Sequence, residues 1–135
     1  MPNIIDSFIA RNMISRRDVD WVLEAKISNE PLHQLIVRSG LVSEDDYLDV
    51  LSQELDLPKF EDLPADYDPG AFSRISALFM DEHSFVPLDM DDDRLWLVVN
   101  DPFDHLVLDT VHKIFPGKQV MLVLGRKERI RSILQ

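Results

Sequence analysis

The 135-residue chain contains no cysteine, which excludes disulfides and every thiolate metal site and suits a reducing compartment. It has only four glycines. Gly117-Lys118 lacks both the upstream glycine and the Ser or Thr of a phosphate-binding loop, so the chain by itself is not an ATPase. No apolar run approaches the ~20 residues of a membrane-spanning helix. The opening Met-Pro-Asn-Ile-Ile-Asp has neither the basic start nor the apolar core of a signal peptide. These absences make a soluble cytoplasmic protein the expectation.

Positive charge is also scarce. Fourteen Lys and Arg against 25 Asp and Glu leave a net charge of −11. Between Leu41 and Asp104 stand 18 of the 25 acidic residues and three bases, Lys59, Arg74 and Arg94. Such a field repels phosphate backbones and anionic membranes, which argues against nucleic-acid binding. The bases gather at the ends, at Arg11, Arg16 and Arg17 and then at Lys118, Arg126, Lys127, Arg129 and Arg131.

Catalytic groupings are missing as well. No serine sits in a Gly-x-Ser-x-Gly elbow. The alternation Asp89, Asp91, Asp93 imitates the start of a calcium loop, but Arg94 holds the required glycine position and Asn100 the place of the closing Glu. These aspartates read as a solvated hairpin turn. His105 and His112 lie seven apart on one predicted helix, ~10 Å along its axis, too far to share a metal, and neither His33 nor His83 is an evident third ligand. The expectation is a non-enzyme with no cofactor and no metal.

What is present is a repeat. Shifted by 28 residues, Ile4 falls on Leu32, Phe8 on Ile36 and Ile9 on Val37. Met13-Ile14-Ser15 falls on Leu41-Val42-Ser43, Asp18 on Asp46 and Val19 on Tyr47. Val22-Leu23 meets Val50-Leu51, and Ile27 meets Leu55. The apolar and capping positions recur while the polar ones drift, a pattern that speaks of paired structural units. It predicts four short helices. The first covers residues 3–11, with Ile4, Ile5, Phe8 and Ile9 on one face. Ser15 opens the second, boxed by Asp18, with Val19, Val22 and Leu23 as its buried stripe. Pro31 lies near the start of the third, whose Leu32, Leu35 and Ile36 face inward, and Gly40 follows as its C-terminal cap. Ser43 and Asp46 cap the fourth, whose apolar residues are Tyr47, Leu48, Val50, Leu51 and Leu55. One helix pair cannot bury its apolar face alone, but two pairs packed together can.

Asp56-Leu57-Pro58 ends this lobe. Residues 59–69, rich in Pro, Asp and Leu, read as an extended connector across the surface, followed by helical turns over 69–75 and 76–82. The period then changes. Residues 85–88 are a short strand, 89–94 a turn, and 95–99 an apolar strand buried on both faces. Asp104 can cap a helix running to Ile114, with Leu106, Leu108 and Val111 as core. Pro116-Gly117 turns into a strand over 120–124, and 127–134 form a closing helix. The fold class is therefore α+β: a helical repeat lobe over residues 1–57 and a small β-β-α-β-α lobe over 58–135.

The run from Gly40 to Leu48, continuing to Leu55-Asp56-Leu57-Pro58, and then Phe85-Val86-Pro87-Leu88, Leu95 to Val99 and Asn100-Asp101-Pro102-Phe103-Asp104, resembles the N-terminal domain of type II secretion and type IV pilus assembly ATPases. The resemblance spans nearly the whole chain in the right order. It implies a helical lobe joined to a small α+β lobe, and a role in docking or regulating a motor in the bacterial cytoplasm beside the inner membrane. One branch of that family binds cyclic di-GMP through two copies of a 24-residue motif, Arg-Leu-Gly…Gly…Gln. Laid on this chain, the copies cover residues 3–26 and 31–54. Asn3 and Pro31 stand where the motif has Arg, and Ile5 and His33 where it has the first Gly. Asn12 and Gly40 take the second Gly, and Lys26 and Glu54 the final Gln. Of these positions only Gly40 keeps the motif residue. Without arginines and close-approach glycines the ligand's guanines and phosphates lose charge-assisted donors and room, and Glu54 adds a carboxylate where an anion would sit.

The resulting expectation is a protein-interaction domain whose partner belongs to the secretion or pilus machinery or is an adjoining ATPase domain, with a cyclic di-GMP receptor as the alternative. The interaction surface is expected around Arg11, Arg16 and Arg17 and on exposed faces of Trp21 and Tyr47, since aromatic residues and Arg are enriched at interface cores. Contact with the membrane would run through the partner.

Overall fold

The computed structural model describes residues 3–26 and 29–135. Ile27, matched to Leu55 in the repeat, and the N-terminal Met1-Pro2 lie outside the described residues. Two compact units make up the chain, Met1–Asp56 and Leu57–Gln135.

The first unit holds α1 (Ile4–Ala10), α2 (Arg16–Ala25), α3 (Leu32–Arg38) and α4 (Glu44–Leu55). A shift of 28 residues carries α1 onto α3 end for end, and the start of α2 onto the start of α4. The packing crosses between copies, since α1 lies on α4 and α2 on α3. Each copy thus lends one helix to each pair, a pseudo-two-fold arrangement. Helices of seven residues are marginal on their own. Here they are held by tertiary burial: Phe8, Ile36, Val50 and Leu51 are fully buried, each worth roughly 1.5–3 kcal/mol relative to exposure.

The predicted caps form. Ser15 Oγ accepts from the Asp18 amide at 3.1 Å, and Asp18 Oδ2 accepts from the Ser15 amide at 2.9 Å, a complete capping box. Ser43 Oγ accepts from the Asp46 amide at 3.1 Å in the second copy. The C-terminal ends of α1 and α3 are also alike. Asn12 and Gly40 have φ of 60° and 86°. Their amides donate to Ile9 and Val37 at 3.0 Å, and the next amides, of Met13 and Leu41, donate to Phe8 and Ile36 at 3.0 and 3.2 Å. Both ends are Schellman motifs, which satisfy the last carbonyls of each helix.

The stripe expected on α2 is narrower than the sequence suggested. Val22 is buried and Val19 half-buried, but Leu23 is 47% exposed. Leu23 sits 100° around the helix from Val22, beyond the strip that α3 covers. Its repeat mate Leu51 is fully buried.

The second unit contains a 3-10 turn (Pro69–Phe72), α5 (Ala77–Glu82), β1 (Phe85–Met90), β2 (Arg94–Val99), α6 (His105–Ile114), β3 (Gln119–Leu124) and α7 (Lys127–Leu134). The three strands form one sheet in the order β1-β2-β3. β1 pairs with β2 antiparallel through a bulge between Pro87 and Asp89, and β2 pairs with β3 parallel. α6 supplies the long connection that a parallel pair requires. As the apolar run predicted, the central strand β2 is buried on both faces: Leu95, Leu97 and Val99 on one and Val98 on the other. Val98, Val86 and Ile130 of α7 form a cluster joined by Phe60, Leu88, Ile133 and Leu134.

Three details differ from the expectation. The 89–94 turn shrinks to 91–93, because the ladder pairs Met90 with Leu95 and holds Asp89 in the strand. On α6 the buried residues are Val107 and Val111, four apart on one face, whereas Leu108 is half-buried and Leu106 is 55% exposed. The connector does not simply cross the surface. The Phe60 amide donates to the Leu124 carbonyl at 2.7 Å, and the Leu124 amide to the Pro58 carbonyl at 2.8 Å. The connector thereby covers one end of the β3 edge, whose unpaired backbone groups would otherwise be open to pairing.

Candidate functional site

In the helical unit, most of the motif positions serve the fold. Asn3 is the N-cap of α1, its Oδ1 accepting from the Ile5 amide at 2.9 Å. Pro31 is the N-cap of α3 and so lies one residue before the helix. Ile5 is buried. His33 is half-buried and stacks on Tyr47, with ring centroids 6.4 Å apart. Asn12 and Gly40 are the left-handed residues after α1 and α3. Lys26 is the exposed C-cap of α2.

Glu54, near the end of α4, forms an ion pair with Arg11 at 3.0 Å, and the same guanidinium donates to Gln53. One interaction candidate, Arg11, therefore meets one motif position, Glu54. Their bridge closes the C-terminal end of the α1–α4 pair.

The equivalent place on the α2–α3 pair is different. The repeat offset puts Ser39 where Arg11 stands, and Ala25 and Lys26 where Gln53 and Glu54 stand. No bridge of that kind can form there. A groove of about 170 Å³ lies along this pair instead, lined by Trp21, Val22, Ala25, Lys26, Leu35, Arg38 and Ser39. Trp21 is 63% exposed. Arg38 pairs with Glu30 at 2.6 Å. Of the residues lining the groove, the sequence points to Trp21 as an interaction candidate, to Lys26 as a motif position and to Val22 and Leu35 as helix core. Nothing in it joins them to Arg38 and Ser39, although the mismatch between Arg11–Glu54 and Ser39–Lys26 is legible in the repeat.

Two other candidates, Arg16 and Arg17, are exposed in the first turn of α2. Cations beside the positive end of a helix dipole cost roughly 0.3–1 kcal/mol each, so they are not there for helix stability. Tyr47 has to be corrected as a surface residue. It is 2% exposed, packed against Phe8 and His33, and offers no face to a partner. It lies on the inward stripe of α4 with Leu48, Val50 and Leu51, and an aromatic on that stripe is core.

In the α+β unit, a pocket of about 110 Å³ beside β1 is lined by Pro64, Asp66, Tyr67, Asp68, Ala71, Phe72, Leu88, Asp89 and Met90. Tyr67 donates its hydroxyl to the Pro87 carbonyl at 3.0 Å, and burial raises its pKa. The hairpin turn is solvated, as expected. Asp91 Oδ1 accepts from the amides of Asp93 and Arg94 at 2.9 and 2.7 Å, and those bonds hold its carboxyl below the usual range. Lys118 donates to the carbonyls of Asp91 and Asp92. His83 and Asp104 meet at 2.8 Å, whereas His105 and His112 are exposed. Among the described residues no three His, Asp or Glu are grouped to hold a metal, and no helix is long and apolar enough to cross a membrane.

Residues 55–135, the α+β unit with the end of α4, match the model of the MshEN domain. The chain belongs to the MshEN domain family. This MshEN chain is 26% identical over 140 residues to type II secretion system protein E of Xanthomonas campestris, which covers 98% of the chain and 24% of that protein. It is also 38% identical over 96 residues to a 1-deoxy-D-xylulose-5-phosphate synthase of Pectobacterium atrosepticum, covering 71% of the chain and 14% of that protein. The chain thus spans a quarter or less of the length of either curated relative. Among solved structures, the N-terminal domain of XpsE superposes with a TM-score of 0.77 at 25% identity, covering 97% of this chain and 90% of that one. MshE, solved with cdg, superposes with a TM-score of 0.79 at 18% identity, covering 99% and 97%, and at that identity shows the shared fold. The resemblance read from the sequence, to the N-terminal domains of secretion and pilus ATPases, is borne out, as is the α+β class.

Proposed function

We propose that this MshEN chain is a non-catalytic docking and regulatory module for a secretion or pilus motor, acting at the cytoplasmic side of the inner membrane. Its two units are lobes of one such module, and its partner is the motor's ATPase domain or another component of the machinery. The observation that carries this reading is the use made of the eight motif positions. Asn3, Asn12, Lys26, Pro31 and Gly40 sit at helix ends, Ile5 is core, His33 stacks on Tyr47, and Glu54 is engaged by Arg11. None places an arginine or a close-approach glycine at a ligand. The repeat is kept as scaffold.

The other reading, a cyclic di-GMP receptor, is favoured by the likeness to MshE, whose structure was solved with cdg. Calorimetry separates the two. With cyclic di-GMP titrated into the chain, the docking reading expects binding no tighter than about 1 mM, or roughly 4 kcal/mol. A dissociation constant near 1 µM would replace docking by ligand sensing. The docking half is tested by co-purifying the tagged chain with the ATPase domain of a type II secretion or pilus motor from the same cell. Failure to retain any component of that machinery would remove it.

A further inference from the structure

Within that docking reading, on which this step rests, we infer that the α2–α3 groove is a docking cleft for an acidic segment of a partner protein that inserts one apolar anchor side chain. The symmetry of the two helix pairs is broken at their ends. The two helix pairs derive from one repeat, yet the α1–α4 pair is closed by Arg11 on Gln53 and Glu54, whereas the α2–α3 pair is left as a groove. The same imbalance appears along the helices. Leu23 and Trp21 of α2 are 47% and 63% exposed, while Leu51, the mate of Leu23, is fully buried.

The chemistry of the groove names the occupant. Its apolar lining is the buried Val22 and Leu35 with the exposed Ala25 and Trp21. A volume of about 170 Å³ is of the order of a cavity that accepts one benzene-sized group. The charged residues lining it, Lys26 and Arg38, are both basic, in a chain with a net charge of −11. Glu30 accompanies Arg38 at 2.6 Å, but the Arg38 side chain remains 66% exposed. Carboxylates flanking an apolar anchor would meet both cations, while Trp21 supplies the large, rigid contact area that dominates interface energetics. A basic segment would meet like charge at the rim.

The probe is a 15-residue amphipathic peptide of Glu, Ala and Leu with one central Phe, titrated into the full chain at low salt, alongside its Glu→Lys counterpart. The peptides are fluorescein-labelled and binding is followed by anisotropy, which does not depend on Trp21. The expected result is micromolar binding of the acidic peptide, lost on raising the salt, and at least tenfold weaker binding of the basic one. In the wild-type chain a blue shift of tryptophan emission accompanies it. Lys26→Glu with Arg38→Glu, and separately Trp21→Ala, are expected to weaken the acidic peptide at least tenfold. Equal binding of the two peptides, or an affinity unmoved by these variants, overturns the assignment. Trp21→Phe keeps an aromatic ring and is expected to retain most of the affinity, and matching circular dichroism and melting curves verify folding. Co-purification of the motor ATPase domain distinguishes the two levels. If wild-type and Trp21→Ala chains retain it equally, docking stands and this cleft falls. If neither does, docking falls and the peptide titration alone decides the cleft.

Discussion

Asn12 and Gly40 stand 28 residues apart in the chain and adopt the same left-handed backbone conformation, each one residue past the C-cap of its helix. The shared conformation accounts for a glycine at one of these positions and an asparagine at the other. A Schellman motif needs positive φ at this point, and Gly and Asn are the residues that adopt it at least cost.

Gly40→Ala should therefore destabilise the chain by about 1 kcal/mol, and Asn12→Ala by a similar or smaller amount, through backbone strain alone. No atom lies within 4 Å of a Cβ added at Gly40, so steric overlap is not a second cause. Asn12→Gly should leave stability unchanged or raise it slightly. Urea melts of the three variants check the order.

The capping serines should matter in both copies. Ser15→Ala removes the acceptor for the Asp18 amide, and Ser43→Ala the acceptor for the Asp46 amide, and each should cost about 1 kcal/mol. Ser15→Asp should retain most of the stability in a thermal melt, because a carboxylate caps as well and suits the helix dipole.

Gly125 is held by close approach. An added Cβ would overlap Cγ1 of the fully buried Val98, and the Gly125 carbonyl accepts from Asn100 Nδ2 at 3.1 Å. Gly125→Ala should cost about 1–3 kcal/mol. Combined with Val98→Ala, the loss should be smaller than the sum of the two single losses, since the second substitution removes the overlapping atom. A double-mutant cycle in denaturant measures the coupling.

The Arg11–Glu54 bridge should contribute little to stability. Its side chains are 33% and 29% exposed, and pairs that open to solvent are worth at most about 1 kcal/mol and are screened by salt. Glu54→Gln should shift the melting temperature only slightly, and less at 1 M salt than at 0.05 M. A large loss would mean that the bridge holds α1 on α4.

Acid stability should depend on Asp91. Its folded carboxyl titrates below the ordinary value near 3.9, first because the Asp93 amide and then the Arg94 amide favour the charged form. A depressed folded value makes its contribution fully present above the unfolded value and lost as the pH falls through the folded one. Asp91→Asn should therefore flatten the pH dependence of melting below about pH 4 and leave it unaltered near pH 7. Melting curves between pH 2 and 7 test this.

Much of the fold was legible because its signals are local. Ser15 and Asp18 lie three residues apart, and the apolar stripes of α1 and α3 recur at helical spacing, so caps and helices could be read before any contact was known. The strands announced themselves by the change of period at Phe85. Leu23 and Leu106 are exposed because periodicity names an apolar face but not how much of it a neighbour will cover. For Tyr47, by contrast, the periodicity of α4 holds and the expectation from aromatic enrichment at interfaces does not. Trp21 was selected as an aromatic, but the groove beside it draws Leu35, Arg38 and Ser39 from another helix, and no spacing within α2 points to them.

The chain's order of residues dictated the caps, the two-copy helical plan and the α+β class. Each of these rests on hydrogen bonds or hydrophobic patterns spanning a few residues, or on comparison of one copy with the other. Tertiary packing decided the crossed pairing of α1 with α4 and α2 with α3, the bridge from Arg11 to Glu54, and the exposure of Leu23 against the burial of Leu51. Burial is a property of what arrives from elsewhere in the chain, and two copies with matching patterns receive different neighbours.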